Sequence, residues 1–148
     1  MEEHRKPIQG RRFAFQVLSR RDVKHLAPEV PYVVISITDV AKTHPVLLES
    51  PLCLGVLPLF FDDVEPKRKE YYGSKRPMSE DQAREIRGFV EAHLERVELI
   101  VVNCEAGMCR SPAVAAALWR WLEPGRATFF EAFRPNGHVY RTLVNELR

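Results

Sequence analysis

Two side chains in this 148-residue chain stand at a spacing that can do chemistry: Cys104 and Arg110, with five residues between them. The stretch around them reads Val101-Val102-Asn103-Cys104-Glu105-Ala106-Gly107-Met108-Cys109-Arg110-Ser111-Pro112. An apolar strand runs into a tight turn, and the turn runs into the start of a helix. That layout aims successive backbone N–H groups, together with the positive end of the helix dipole, at one point, so an anion belongs there. Gly107 lets the backbone fold closely around it. The same field favours thiolate over thiol at Cys104, because thiols at helix N-termini beside cations fall from about 8.5 to roughly 3.5–7.5. A thiolate at neutral pH is a strong nucleophile. Arg110 offers a planar fork matched to two oxygens of a tetrahedral oxyanion. Glu105, Ala106, Gly107, Met108 and Cys109 are the candidate anion-binding residues through their amides, with Arg110 closing the set.

The elements that must hold this loop can be read on either side of it. Leu99–Asn103 is a short buried strand that stops at Cys104, and Ser111–Leu122 is apolar over most of its circumference, so this helix lies inside the protein. Ser111 reads as its N-cap, Pro112 fits where a missing N–H costs nothing, and Pro124-Gly125 ends it. Upstream, Phe13–Leu18 reads as a first strand, and Ser19 with Asp22 resembles a capping box opening a short helix. Pro31–Ile37 is a β-branched run expected to be buried on both faces. Leu54–Phe61 is a third strand, less regular at Gly55 and Pro58. A polar stretch follows over Phe61–Met78. Ser79 and Gln82 then form a capping box for a helix whose apolar positions are Ala83, Ile86, Phe89, Val90, Leu94 and Val97. A last helix is expected over Val139–Leu147. Alternating strands and helices predict one α/β domain over residues 1–148, with a mainly parallel central sheet flanked by helices.

Composition agrees with that size and class. Hydrophobic residues make up 45% and charged residues 28%, ordinary values for a globular domain. A net charge of +2 is too small to argue for a nucleic-acid partner, and none is expected. No apolar run approaches a membrane span, and the N-terminus lacks a signal-peptide pattern. Three cysteines, Cys53, Cys104 and Cys109, cannot all pair within the chain. A cytoplasmic setting with free thiols is the expectation.

The pattern Cys104-x-x-Gly107-x-x-Arg110-Ser111 resembles the active-site signature of the cysteine-dependent protein tyrosine phosphatase superfamily. Arg134-Pro135-Asn136-Gly137-His138-Val139-Tyr140-Arg141-Thr142-Leu143 is similar to the Pro-Asn-centred segment that follows the signature in dual-specificity phosphatases. Low-molecular-weight tyrosine phosphatases carry a loop like this one near their N-terminus. Here it lies two-thirds along the chain, which favours the dual-specificity branch. The resemblance covers the second half clearly and the first half by strand order.

It implies hydrolysis of a phosphomonoester through a cysteinyl-phosphate, with phosphotyrosine the leading substrate and dual specificity open. The partner is a phosphorylated protein or a small phosphomonoester, and no metal or other cofactor is implied. The family's general acid is an Asp on a loop upstream of the signature. That role falls on Asp63 in Phe61-Asp62-Asp63, with Asp62 in reserve. Ser111 is expected to stabilise the Cys104 sulfur. Two positions depart from the family: Asn103 stands where it has His, and Thr142 where it has Gln. Other readings of the same residues are a phosphate-binding module without turnover, or a thiol enzyme such as an arsenate reductase or sulfurtransferase. Cys109 reads as a small buried hydrophobe, with a reversible Cys104–Cys109 disulfide as the alternative. Cys53, Trp119 and Trp121 read as core, and His44 and His138 as surface or supporting residues. The basic run Lys67–Arg76 is a solvated loop or, alternatively, a lid over the site.

Overall fold

Every residue of β3 (Tyr32–Thr38) and of β5 (Leu99–Cys104) is buried, as expected for β-branched runs at the centre of a parallel sheet. The computed structural model describes residues 6–65, 73–124 and 133–148. Residues 67–72 of the basic run, and Gly125 at the expected end of the buried helix, lie outside them. The described strands form one sheet in the order β1-β2-β5-β3-β4, with β1 at Ile8–Gln9, β2 at Ala14–Ser19 and β4 at Cys53–Phe60. β5 lies between β2 and β3 and runs parallel to both, pairing Leu18 and Ser36 with Asn103. β4 is parallel to β3, and only β1 runs antiparallel. The two-residue β1 was not anticipated, because so short a piece carries no alternation to read.

Side chains alternate across the sheet and divide the core in two. On one face Phe15, Val17, Val33, Ile35, Ile100 and Val102 pack against α2 (Glu80–His93), α3 (Arg110–Leu122) and α4 (Gly137–Glu146). On the other, Ala14, Leu18, Tyr32, Val34, Leu99 and Val101 meet Val23 of the short α1 (Arg20–Val23), with Leu26, Val30, Leu47 and Leu52 from irregular chain. The expected flanking helices are therefore unevenly shared between the faces. Trp119 is buried, its ring 5.3 Å from that of Phe15, while Trp121 is only partly buried. Cys53 differs from expectation: it is half-buried at the edge of the second cluster.

Local signals hold where the caps predict them. Ser79 accepts from Gln82 N while the Gln82 side chain accepts from Ser79 N, a complete capping box. The α3 start is a correction. The helix begins at Arg110 with Cys109 as N-cap, and no side chain caps it. Ser111 is already helical because its hydroxyl has another partner, described below. At the far end of α3, buried Glu123 accepts from the amides of Arg12 (2.8 Å) and Phe13 (3.3 Å), tying α3 to the entry of β2.

β4 is an edge strand, yet its open side is blunted. Phe61 N bonds back to Thr38 O, so by alternation Pro58 and Phe60 present their backbone outward. Pro58 has no N–H to offer, and the Phe60 carbonyl accepts from Gln82 Nε2 at 2.9 Å. No helix among the described residues is long and apolar enough to cross a membrane.

Candidate active site

Residues 104–110 connect the C-terminal end of β5 to the N-terminus of α3, at the end of the parallel sheet where ligands of α/β folds gather. Gly107 has φ 72°, the left-handed region. A Cβ there would lie 2.9 Å from both Leu18 C and Ser19 N. The turn thus needs glycine for its backbone and for its close approach to β2. Arg20 N donates to Glu105 O at 3.1 Å. On the other side, Arg134 N and Asn136 N donate to the carbonyls of Met108 and Cys109, each at 2.9 Å. The loop is held from both flanks, and its own carbonyls point outward to these donors.

Cys104 is 2% exposed, and its Sγ lies 3.1 Å from Ser111 Oγ. This contact takes the hydroxyl that sequence reasoning assigned to capping α3. Arg110 is 4% exposed. Its Nη1 donates to the Phe61 carbonyl at 2.7 Å and pairs with Asp39 Oδ1 at 2.7 Å. Its Nε is buried without a hydrogen-bond partner among the described residues. One terminus of the guanidinium is therefore anchored while a polar N–H is left for a ligand.

The two aspartates of the upstream loop have different surroundings. Asp62 is buried and accepts from Val40 N (3.2 Å) and Arg76 N (2.8 Å), while its own amide donates to Arg76 O. It cross-ties three chain segments. Asp63 is exposed, and its Oδ1 accepts from Asn136 Nδ2 at 2.7 Å. Asn136 also caps α4, its Oδ1 accepting from Val139 N at 3.1 Å. Burial, then the neighbouring Asp63 carboxylate, push the Cys109 thiol up to about 11. Cys109 thus stays protonated at neutral pH, and it is half-buried. Asp63 is therefore a neighbour of Cys109 in the loop.

Asn103 occupies the position before Cys104. It is fully buried, on the sheet face opposite Cys104, and neither of its amide atoms has a hydrogen-bond partner among the described residues. Thr142 lines a cavity of about 260 Å³ with Glu80, Arg84 and Asn145, on the α2 side of α4. His138 Nε2 lies 2.8 Å from the Met78 carbonyl. No group of three or more His, Cys, Asp or Glu with metal-holding geometry occurs among the described residues.

Sequence reading missed Asp39 and Lys42. Lys42 Nζ lies 2.8 Å from Glu105 Oε1 and 3.5 Å from Asp39 Oδ2. The signal that could have found them is position: both follow β3, and the strand order brings the end of β3 beside the end of β5.

No family model matches the sequence, and no curated protein matches it. The sheet order, the helices and the loop between β5 and α3 define a protein-tyrosine-phosphatase-like α/β fold. Among solved structures the chain is similar to the crystal structure of Tk-PTP in the active form. The TM-score is 0.58 over 99% of this chain and 97% of that one, at 19% identity, a likeness of fold.

Proposed function

We propose that the protein is a phosphatase that hydrolyses phosphomonoesters, phosphotyrosine first among them, through a cysteinyl-phosphate on Cys104. The observation that carries this reading is the convergence at one helix N-terminus. Cys104 Sγ lies beside the Ser111 hydroxyl, and Arg110 keeps a buried, unpartnered Nε. The fold likeness to Tk-PTP supports it. So does Asp63, which is exposed and oriented by Asn136. The Pro-Asn segment, with Asn136 joining loop, acid and α4, supports the dual-specificity branch. Val40 and Phe60, both exposed, leave apolar surface beside the acid loop for an aryl leaving group.

In the first step Cys104 thiolate attacks phosphorus while the loop amides and Arg110 hold the non-bridging oxygens. The ester P–O bond breaks, and Asp63 gives its proton to the departing oxygen. In the second step water attacks the cysteinyl-phosphate, Asp63 takes the water proton, and the S–P bond breaks. Ser111 then donates a hydrogen bond to the leaving thiolate. Asp62 has both carboxylate oxygens committed to backbone amides, so it positions the loop that carries Asp63.

The test is hydrolysis of a small aryl phosphate by wild type, Cys104→Ser, Asp63→Asn and Asp62→Asn across acidic to neutral pH. Wild type turns over without added metal and Cys104→Ser is inactive. Asp63→Asn loses the basic limb of the pH profile with its melting temperature held. Asp62→Asn melts earlier and keeps that limb. A second reading, an oxyanion-binding module without turnover, draws on Asn103, whose side chain is uncharged and has no hydrogen-bond partner among the described residues. Tungstate binding by an inactive wild type would select it.

A further inference from the structure

Four charged side chains other than the Cys104 sulfur form a continuous chain from one end of the loop to the other. Arg110 pairs with Asp39 at 2.7 Å, Asp39 with Lys42 at 3.5 Å, and Lys42 with Glu105 at 2.8 Å. Glu105 is the residue after the nucleophile and Arg110 the last of the loop, so the chain joins the loop's two ends through a segment that is not part of it. Two of the four members are carboxylates, set beside a site whose amides and guanidinium are arranged for an anion. Lys42 is the only member that touches both of them.

We propose that Lys42 is a positioning residue for the oxyanion site, holding Glu105 and Asp39 so that neither carboxylate opposes the incoming phosphate nor draws Arg110 away from it. This rests on the reading of residues 104–110 as a phosphate loop. With Lys42 in place the four charges sum to zero. Without it the cluster carries a net negative charge beside a site for a dianion, and among the described residues Asp39 keeps Arg110 as its one ion-pair partner. The side chains of Lys42 and Glu105 are 47% and 43% exposed. Pairs so exposed add little to folding stability, which leaves the arrangement of the site as what the contact serves. Hydrogen bonding to Glu105 raises the Lys42 pKa above its ordinary value of 10.5, so the cation persists at any pH at which the site works.

The experiment is calorimetric titration of tungstate, a tetrahedral oxyanion, into wild type, Lys42→Met, Lys42→Arg, Glu105→Gln and the Lys42→Met/Glu105→Gln double variant, at low and high salt. Lys42→Met is expected to weaken binding about three- to tenfold at low salt, less at high salt, with its melting temperature unchanged. Lys42→Arg, which keeps the charge, binds as wild type does. The double variant, neutral again, recovers most of the loss. With aryl phosphate the same loss appears in KM more than in kcat. Unchanged tungstate affinity in Lys42→Met, or a double variant no better than the single, overturns the proposal while leaving the phosphate loop standing. Failure of wild type itself to bind tungstate removes the phosphate-loop reading, and this proposal falls with it.

Discussion

The Ser111 hydroxyl is paired with Cys104 Sγ at 3.1 Å, and α3 is left without a side-chain cap among the described residues. An N-cap is worth about 1 kcal/mol, so this choice marks where a helix-stabilising group was diverted to the sulfur. In the proposed mechanism its effect belongs to the step in which sulfur leaves phosphorus. A hydrogen bond to a charged group contributes about 1.5–3 kcal/mol, roughly ten- to a hundredfold in rate. Ser111→Ala should therefore lower kcat by about that factor and show a burst of aryl alcohol equal to the enzyme concentration in stopped-flow measurements. An equal loss without a burst would assign the hydroxyl to the first step. At this scale the turn that brings Cys104, Gly107 and Arg110 together was legible, since all three lie in one short stretch whose flanks are strongly apolar. The cap was misassigned because a serine before Pro112 satisfies the local rule, and only the folded loop shows the competing sulfur. Asp39 was not legible, since its partner Arg110 is distant in sequence and meets it only through the strand order.

Between elements, Asn136 does the joining. Its backbone amide holds the loop at Cys109, its side-chain oxygen caps α4, and its side-chain nitrogen orients Asp63. These duties are separable by substitution. Asn136→Ser keeps a capping oxygen but no amide nitrogen. It should hold the melting temperature while kcat falls, because Asp63, the proposed acid, is no longer oriented. Asn136→Ala loses the cap as well, about 1 kcal/mol, and should also melt about 3–5 °C lower. Thermal unfolding beside steady-state kinetics reads both, and a Ser variant with wild-type kcat would show that Asp63 needs no such partner. The strands and α2 could be read ahead of the structure because their apolar runs and capping residues are contiguous. β1 could not, nor could the unequal cover of the sheet, where irregular chain replaces helices on the α1 face.

For the whole molecule, stability should fall on both sides of neutrality. Burial, and then Arg20, hold His44 below its ordinary value of 6.5. As pH drops below 6.5 the unfolded chain takes up a proton that the folded one refuses, so stability decreases. Cys109 is held up to about 11 against an ordinary 9.0. Between those values the unfolded chain releases a proton that the folded one keeps, so stability decreases as pH rises. Tyr32, raised above 10.0 chiefly by burial, acts in the same direction. Urea titrations across pH should show both slopes, His44→Gln flattening the acid side and Cys109→Ala part of the alkaline side. A Cys109→Ala profile identical to wild type above pH 9.0 would show that the thiol is not held protonated by the fold. The sheet order has a consequence of another kind, for the birth of the protein. β2 and β3 follow one another in the chain but are never neighbours, because the slot between them is filled by β5. As the polypeptide leaves the ribosome, its first half can pair β1 with β2 and β3 with β4, while the facing edges of β2 and β3 must wait for a strand not yet made. Cys104 ends that late strand, and α3, which carries Ser111, is made later still. The contact between Cys104 and Ser111 is thus assembled only once the sheet has closed and α3 has followed, and a chain stalled before α3 lacks it.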